Sequence, residues 1–368
     1  MPTAPATPPE GPLLARVRQS IAEHGGWLPF DRYMEMALYE PGLGYYSGGR
    51  QVLGAWPADG SDFTTAPELS PLFGQALACQ VAQALQAAEA HTVLEIGAGT
   101  GALAEQLLQA LGPAVQRYLI LDLSGSLRQR QATRLARFGD RVEWLDALPA
   151  ALHGVVLGNE VLDAMPVQLL HWDGQTWHER GVAADTAGTS ALVWVDRPTP
   201  LRPPVLQDLV PGTVVEIHPQ AEAFVRSLAE RLHRGAAFFI DYGFPEAEYY
   251  HPQRTGGTLM CHHAHRADAD PLQQVGEKDI TTHVNFTGIA LAAQDAGLNV
   301  LGYTSQARFL INCGLADLLQ AADLRGRAAA QKLITEHEMG ELFKVIGLAR
   351  GIALEAIGFS AGDRTHRL

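Results

Sequence analysis

A short apolar strand that carries an acid one residue before its end and runs into three glycines leaves this chain few ways to fold. Thr92 to Ile96 is the strand, Gly97-Ala98-Gly99-Thr100-Gly101 the turn, and Ala102 to Leu111 an amphipathic helix. Glycine suits such a turn because it adopts positive φ freely and lets backbone approach a ligand. The first N–H groups of the helix have no intrahelical partner and can meet a negative or polar ligand group. The dinucleotide fingerprint G-x-G-x-x-G requires glycine at 102, where this chain has Ala102. Glu95 argues further against that reading. A carboxylate there repels a pyrophosphate, whereas S-adenosylmethionine has no phosphate and carries an ammonium.

Strands and helices alternate beyond the turn. Arg117 to Leu123, Val142 to Leu145 and Gly154 to Gly158 read as strands, with a helix over Leu127 to Phe138. Alternation of this kind implies right-handed crossovers and a mostly parallel sheet. The rhythm breaks between about Val167 and Pro204. There Leu169 to Trp172, Asp173-Gly174 and Trp177 have the form of a hairpin, and Leu192 to Val195 adds a strand. Val214 to Ile217 resumes strand character, followed by a helix over Pro219 to His233 and a strand over Ala236 to Tyr242. A helix over Phe286 to Ala296 and a strand over Asn299 to Ser305 come next, and Phe309 to Ala356 looks helical. Upstream, Leu13 to His24 forms a helix. Trp27 to Ser70 is turn-rich, and its aromatics Phe30, Tyr33, Tyr39, Tyr45, Tyr46, Trp56 and Phe63 argue for an ordered lid.

Length agrees with a decorated sheet, since 368 residues exceed the ~250–300 at which single cores stop growing. The division is a tail (1–12), a helix and lid (13–75), two halves of the sheet domain (76–166 and 206–308), an insertion (167–205) and a C-terminal extension (309–368). A formal net charge of −13 argues against a nucleic-acid-coating surface. Cys79, Cys261 and Cys313 are widely spaced, with no CxxC pair to suggest a disulfide scaffold or a thiolate zinc site. Cys261-His262-His263-Ala264-His265 lacks a second ligand pair, so no metal is expected. No run of about 18 apolar residues suggests a membrane span. Met1 to Pro12 has neither the basic nor the apolar region of a signal peptide, so a cytoplasmic protein is expected.

Acids stand where strand ends should lie. Asp122 can bind a ribose diol or cap a helix; Asp146 can accept from the adenine amino group or cap. Asn159 and Glu160 close the fourth strand at the edge where open α/β sheets bind ligands, and Asp163 shares their face if a helical turn forms there. Two acids beside a transferred methyl suit a cationic nucleophile such as a guanidinium, which must be oriented, charge-matched and deprotonated.

The E-x-G-x-G-x-G pattern is similar to the first motif of the class I methyltransferases. Longer blocks resemble one family among them. Tyr39-Glu40-Pro41-Gly42-Leu43-Gly44-Tyr45-Tyr46, Asp62 through Gly74, Asn159-Glu160, Asp163-Ala164, Pro166-Val167, Asp241-Tyr242-Gly243, Gly257-Thr258-Leu259, His265, Asp270-Pro271 and Asp279 to Phe286 look like signatures of the MidA-like methyltransferases. The resemblance runs from about Leu13 to beyond Phe309. It implies an α/β, Rossmann-like class I methyltransferase sheet with N-terminal lid, mid-chain insertion and helical C-terminal extension. It also implies S-adenosylmethionine as donor and, as in the family's mitochondrial member, symmetric dimethylation of an arginine on a respiratory complex I subunit. His262 departs from the family pattern, where an aromatic such as tyrosine is expected.

Glu95, Gly97, Ala98, Gly99, Gly101, Asp122, Asp146 and Asn159 are thus the expected cofactor residues. Asn159, Glu160, Asp163, Asp241 and Tyr242 are expected on the acceptor side. Tyr45, Thr65, Pro67 and Glu68 belong to the lid; His265 and His283 either face substrate or are structural histidines. A protein substrate, no nucleic acid and a homodimer built on the C-terminal helices are the expected partnerships. Two other classes compete: a nicotinamide-dependent dehydrogenase using the same turn, and a non-catalytic assembly factor whose acidic surface holds a basic segment.

Overall fold

The computed structural model describes residues 11–49, 64–185, 191–205, 209–264 and 266–368. Seven of its strands are β1 (Thr92–Ile96), β2 (Arg117–Leu121), β3 (Val142–Leu145), β4 (Leu152–Asn159), β5 (Leu232–Phe244), β6 (Asn299–Ser305) and β7 (Phe343–Arg350). They lie side by side in the order β3-β2-β1-β4-β5-β7-β6, within an eight-stranded sheet completed by Val284–Asn285 against the end of β5. The first five are parallel; β7 runs antiparallel to both β5 and β6. After β1 the chain moves outward to β2 and β3, then returns to β4 on the other side. That reversal opens a crevice at the carboxyl ends of β1 and β4, where doubly wound sheets bind ligands.

Helices cover both faces. On one, α3 (Pro71–Ala88) and α4 (Ala102–Leu111) bury Phe73, Leu77, Val81 and Leu107 against Val93, Val155 and Phe238. On the other, α6 (Pro219–Arg231) and α7 (Phe286–Asp295) bury Val225, Leu228, Phe286 and Ile289 against Leu94, Val156 and Phe239. The start of α3 follows directly from its sequence: Ser70 Oγ accepts from the Leu72 N–H, and Pro71 occupies the first turn.

A second sheet is formed by the hairpin Gln168–Trp172 and Trp177–Ala184, with Leu192–Pro198 and Val214–Ile217 on its flanks. Val214–Ile217 pairs with Gln168–Trp172 rather than with the central sheet, so the insertion extends past 205. A four-residue Val-Val-Glu-Ile strand fits either sheet, and periodicity cannot choose. The N-terminal part, which begins with α1 (Pro12–Glu23), docks on this second sheet. Leu28–Pro29 pairs with Gly181 and Val182, and α2 (Phe30–Tyr39) buries Phe30, Tyr33, Met34, Ala37 and Leu38. What reads as a loop thus contains a helix with i, i+3, i+4 burial.

The C-terminal segment also departs from expectation. It is helical over Gln306–Asn312, Leu315–Ala321 and Leu324–Gln331, and then returns as β7, wedged between β5 and β6. Seven of the eight β7 residues are buried, so both faces are covered and no alternation marks it as a strand. The region around 161–165 forms a turn, not the helical turn considered for Asp163. The expected tail through residue 10, Trp56, Phe63 and His265 lie outside the described residues. Among the described residues no helix is long and apolar enough to cross a membrane.

Candidate active site

A cavity of about 790 Å³ opens at the carboxyl ends of β1, β2, β4 and β5. One wall is the glycine turn. Gly97, Gly99 and Gly101 have φ of 63°, 55° and 84°, conformations that L side chains rarely adopt. A Cβ on Gly97 would stand 3.1 Å from Val161 Cγ2, so the turn and the segment after β4 approach as closely as glycine permits. Glu95 is buried beneath this wall, and its carboxylate accepts from the Tyr118 hydroxyl at 2.6 Å. Burial pushes its pKa up to about 7, against the pull of Tyr118.

Asp122, just beyond β2, is buried and accepts from Ser124 N at 2.9 Å and from Gln131 Nε2 at 2.7 Å. Gln131 lies on α5 (Gly125–Leu135) and is itself buried; its amide also donates to Gly99 O at 2.8 Å and accepts from Trp144 Nε1 at 2.9 Å. One neutral amide therefore ties the glycine turn to the acid of the next strand. Asp146 is different in kind: its side chain is 93% exposed and pairs with Arg128 at 2.6 Å.

The segment Thr65–Glu68 meets this wall through charge. Glu68 meets the Thr100 hydroxyl and accepts from Arg134 at 2.9 Å, while Arg134 also reaches Glu105 at 3.2 Å. Farther along, Tyr39 donates to Ala164 O at 2.9 Å and Tyr46 to Asp279 Oδ1 at 2.8 Å, and both rings line the cavity. Ser124 Oγ, which caps α5, donates to Tyr46 O at 2.6 Å.

A second part of the lining forms an acidic wall. Asn159, Glu160, Asp163, Tyr242, Asp279, Thr281 and His283 all line it. Glu160 has φ of 55°, a conformation that costs a non-glycine residue of order 1–3 kcal/mol and tends to persist where function fixes it. Its N–H is held by Ile240 O at 2.9 Å, and its side chain accepts from Asn159 Nδ2 at 3.0 Å. Asp241 lies under the strap of residues 160–165 that follows β4, accepting from Val161 N at 3.1 Å and Leu162 N at 2.8 Å. Burial pushes Glu160 up to about 8, with Asp163 adding repulsion. Burial likewise raises both Asp163 and Asp241, and the repulsion of Asp163 raises Asp241 further. His283 is held neutral, at about 4, by burial and by the nearby Arg254 and Lys344.

Four buried polar atoms of that wall, Asn159 Oδ1, Asp163 Oδ1, Thr281 Oγ1 and His283 Nδ1, have no protein partner among the described residues. Buried polar atoms are normally paired, and a group of orphans around one cavity marks a place for a polar ligand. The buried acids also set a stability trend. A carboxyl whose folded pKa is raised binds a proton in the native state that the unfolded chain has already released. Stability therefore falls as pH rises from about 4.5, the ordinary value, to about 8 for Glu160. Glu160→Gln should raise the melting temperature at pH 8, and the gain should shrink towards pH 5 in a calorimetric pH series.

The sequence profile of a family described as "Putative S-adenosyl-L-methionine-dependent methyltransferase" matches residues 76–304. The chain belongs to that family. It is 52% identical to a protein of Burkholderia thailandensis solved with bound S-adenosyl-homocysteine, over 99% of this chain and 100% of that one, with a TM-score of 0.92. The mitochondrial protein arginine methyltransferase NDUFAF7 of Danio rerio is 29% identical over 91% of this chain and 88% of its own length. Its human counterpart is 27% identical over 84% and 75%.

This methyltransferase therefore uses S-adenosylmethionine, and its residues fit that donor. A positive-φ glycine cradle, a buried carboxylate beside it and a second acid one strand away offer contacts for an ammonium and a diol, and the buried carboxylate disfavours a pyrophosphate there. The nicotinamide alternative falls with this finding.

The cavity gathers most of the expected residues: Glu95, Gly97, Ala98, Gly99, Asp122, Asp146, Asn159, Glu160, Asp163, Tyr242, Thr65, Pro67, Glu68 and His283. Three described ones stand apart from its lining. Gly101 is the N-cap of α4, Asp241 holds the strap from below, and Tyr45 is buried in the N-terminal core. Tyr46, one residue on, takes the place in the cavity expected of Tyr45. The sequence assigns no role to Gln131, Asp279 or Thr281, and gives Tyr46 only a place among the lid aromatics. Tyr46, Asp279 and Thr281 lie inside the quoted motifs, so the signal was present; a lone glutamine in a helix gives none. Among the described residues no group of His, Cys, Asp or Glu is placed to hold a metal ion.

Proposed function

We propose that this methyltransferase N-methylates the guanidinium of an arginine on a partner protein, the resemblance suggesting a respiratory-complex subunit. The observation that carries the reading is the acidic wall: Glu160, Asp163 and Asp279 facing one cavity, with the orphaned Asn159 and Asp163 oxygens among them. An arginine can donate five N–H groups and match the charge. The relatives named as protein arginine methyltransferases support the same acceptor.

When bound, the cofactor supplies a methyl group on a sulfonium, already a good leaving group. Glu95 would hold its ammonium, Asp122 its ribose and the Gly97–Gly101 turn its methionine end, with Asp146 at the outer, adenine side. Glu160 and Asp163 would orient the guanidinium and take the proton that its nitrogen loses on methylation. Asp241 keeps the strap, and so Glu160, in place. Tyr39, Tyr46 and the Thr65–Glu68 segment exclude water. Such alignment can contribute ~7–11 kcal/mol to the rate.

Glu95 gives a pH signature for the donor side. An ammonium beside it pulls its pKa below the value of about 7, so donor binding releases a proton near neutrality. Affinity should rise with pH through about 7, and Glu95→Gln should abolish that dependence; calorimetry in buffers of different ionisation enthalpy reads both. The acceptor is tested by incubating the protein with isotopically labelled S-adenosylmethionine and proteins from cells that lack it. Labelled methylarginine after total hydrolysis is the expected result. Label confined to lysine, histidine or carboxyl esters would overturn the reading.

A further inference from the structure

A second, smaller pocket of about 150 Å³ shares one rim with the acceptor wall. It is lined by Phe244, Glu248, Tyr303, Glu341, Lys344, Arg364 and Arg367, and Leu342 borders both cavities. Side chains alternate along the strand. Phe343 faces the first cavity, with its ring edge-on to Tyr242 at 5.4 Å, and Lys344 faces the second.

The second pocket carries unspent positive charge. Arg364 grips both Glu341 oxygens, and Arg367 is paired with Glu248. Lys344, only 6% exposed, donates to the Glu341 and Leu342 carbonyls and stands 3.9 Å from a Glu341 oxygen already engaged by Arg364. Three bases face two acids, a surplus of one. Beside them is Tyr303, 1% exposed, whose hydroxyl has no protein partner among the described residues. Tyr303 lines the same pocket as Glu248, Glu341, Lys344, Arg364 and Arg367. Burial keeps it protonated, and hence a donor.

We propose that this pocket binds a carboxylate of the protein substrate, an acidic side chain a short way along the chain from the arginine in the main cavity. A surplus of one positive charge and one free hydroxyl donor match a monoanion. The shared rim at Leu342, half exposed, gives the segment a path from one cavity to the other. The proposal rests on the arginine reading for its substrate, and on the pocket itself for its chemistry.

Two measurements separate these. Acetate, compared with chloride at equal ionic strength, should raise the melting temperature of the wild type, and the Tyr303→Phe, Arg367→Ala double variant should lose the increment. Fluorescent arginine peptides carrying one aspartate, stepped along the chain, should bind about tenfold more tightly than their asparagine counterparts at one spacing, the scale of a hydrogen-bonded charge. The variant should lose that preference while its kcat on the asparagine peptides stays unchanged. Absence of the acetate effect, or its survival in the variant, overturns the pocket. Acetate binding with no preferred aspartate position would assign the pocket to free carboxylates and overturn the substrate proposal. Aspartate-dependent binding without methylation would leave the pocket standing and count against arginine as the acceptor.

Discussion

Glu160→Gln should lower kcat by roughly 10²–10⁴, the usual contribution of a positioned acid–base group, with little change in affinity for S-adenosylmethionine. The substitution preserves shape and leaves one oxygen to accept from Asn159, and it removes the charge and the second, basic oxygen. Glu160 occupies a strained backbone position on the acidic wall, with Asp163 near enough to raise its pKa. A cationic acceptor lowers that pKa again, so the carboxylate becomes charged when it is needed. Asp163→Asn should act in the same direction, and the pair should be less than additive because they share one acceptor. Single-turnover kinetics with saturating donor reads this. Full activity in both Glu160→Ala and Asp163→Ala would remove the acidic wall from the mechanism.

Gly99→Arg should weaken donor binding at least ~100-fold and abolish transfer. Gly99 lines the cavity with φ of 55°, so an arginine there must adopt a backbone conformation costing about 1–2 kcal/mol and fill the donor space with its side chain. Gly25→Arg is the control. It has φ of 71° with nothing within 4 Å of an added Cβ, and it lies away from the cavity. Both variants carry comparable backbone strain, so their melting temperatures should fall similarly while only Gly99→Arg loses titration calorimetry heat with the donor.

The parallel half of the sheet was legible because its strands are short apolar runs punctuated by glycine and acids; β1, β3 and β6 have the bounds that the sequence suggests. β7 was not, because Phe343-Lys344-Val345-Ile346-Gly347-Leu348-Ala349-Arg350 is buried on both faces and follows three real helices. α2 was hidden by the prolines and aromatics around it, although its buried positions keep helical spacing. At the site, charge was readable and geometry was not. Glu95, Asp122, Glu160 and Asp163 could be found as acids at strand ends. That Tyr46 rather than Tyr45 lines the cavity depends on which side of a turn each faces. Asp241 looks like Asp163 in sequence, yet it spends one oxygen on two backbone N–H groups. Gln131 joins the glycine turn to Asp122 across 32 and 9 residues, a contact no local pattern encodes.

The most direct measurement of the central claim is quantitative peptide mapping of cells that carry the protein against cells that lack it, with every arginine methylation site recorded. At least one arginine should be methylated only when the protein is present, regain its methylation with the wild-type gene, and remain unmodified with Glu160→Gln. An unchanged set of methylated arginines, with a methyl group lost from some other kind of residue, would contradict it.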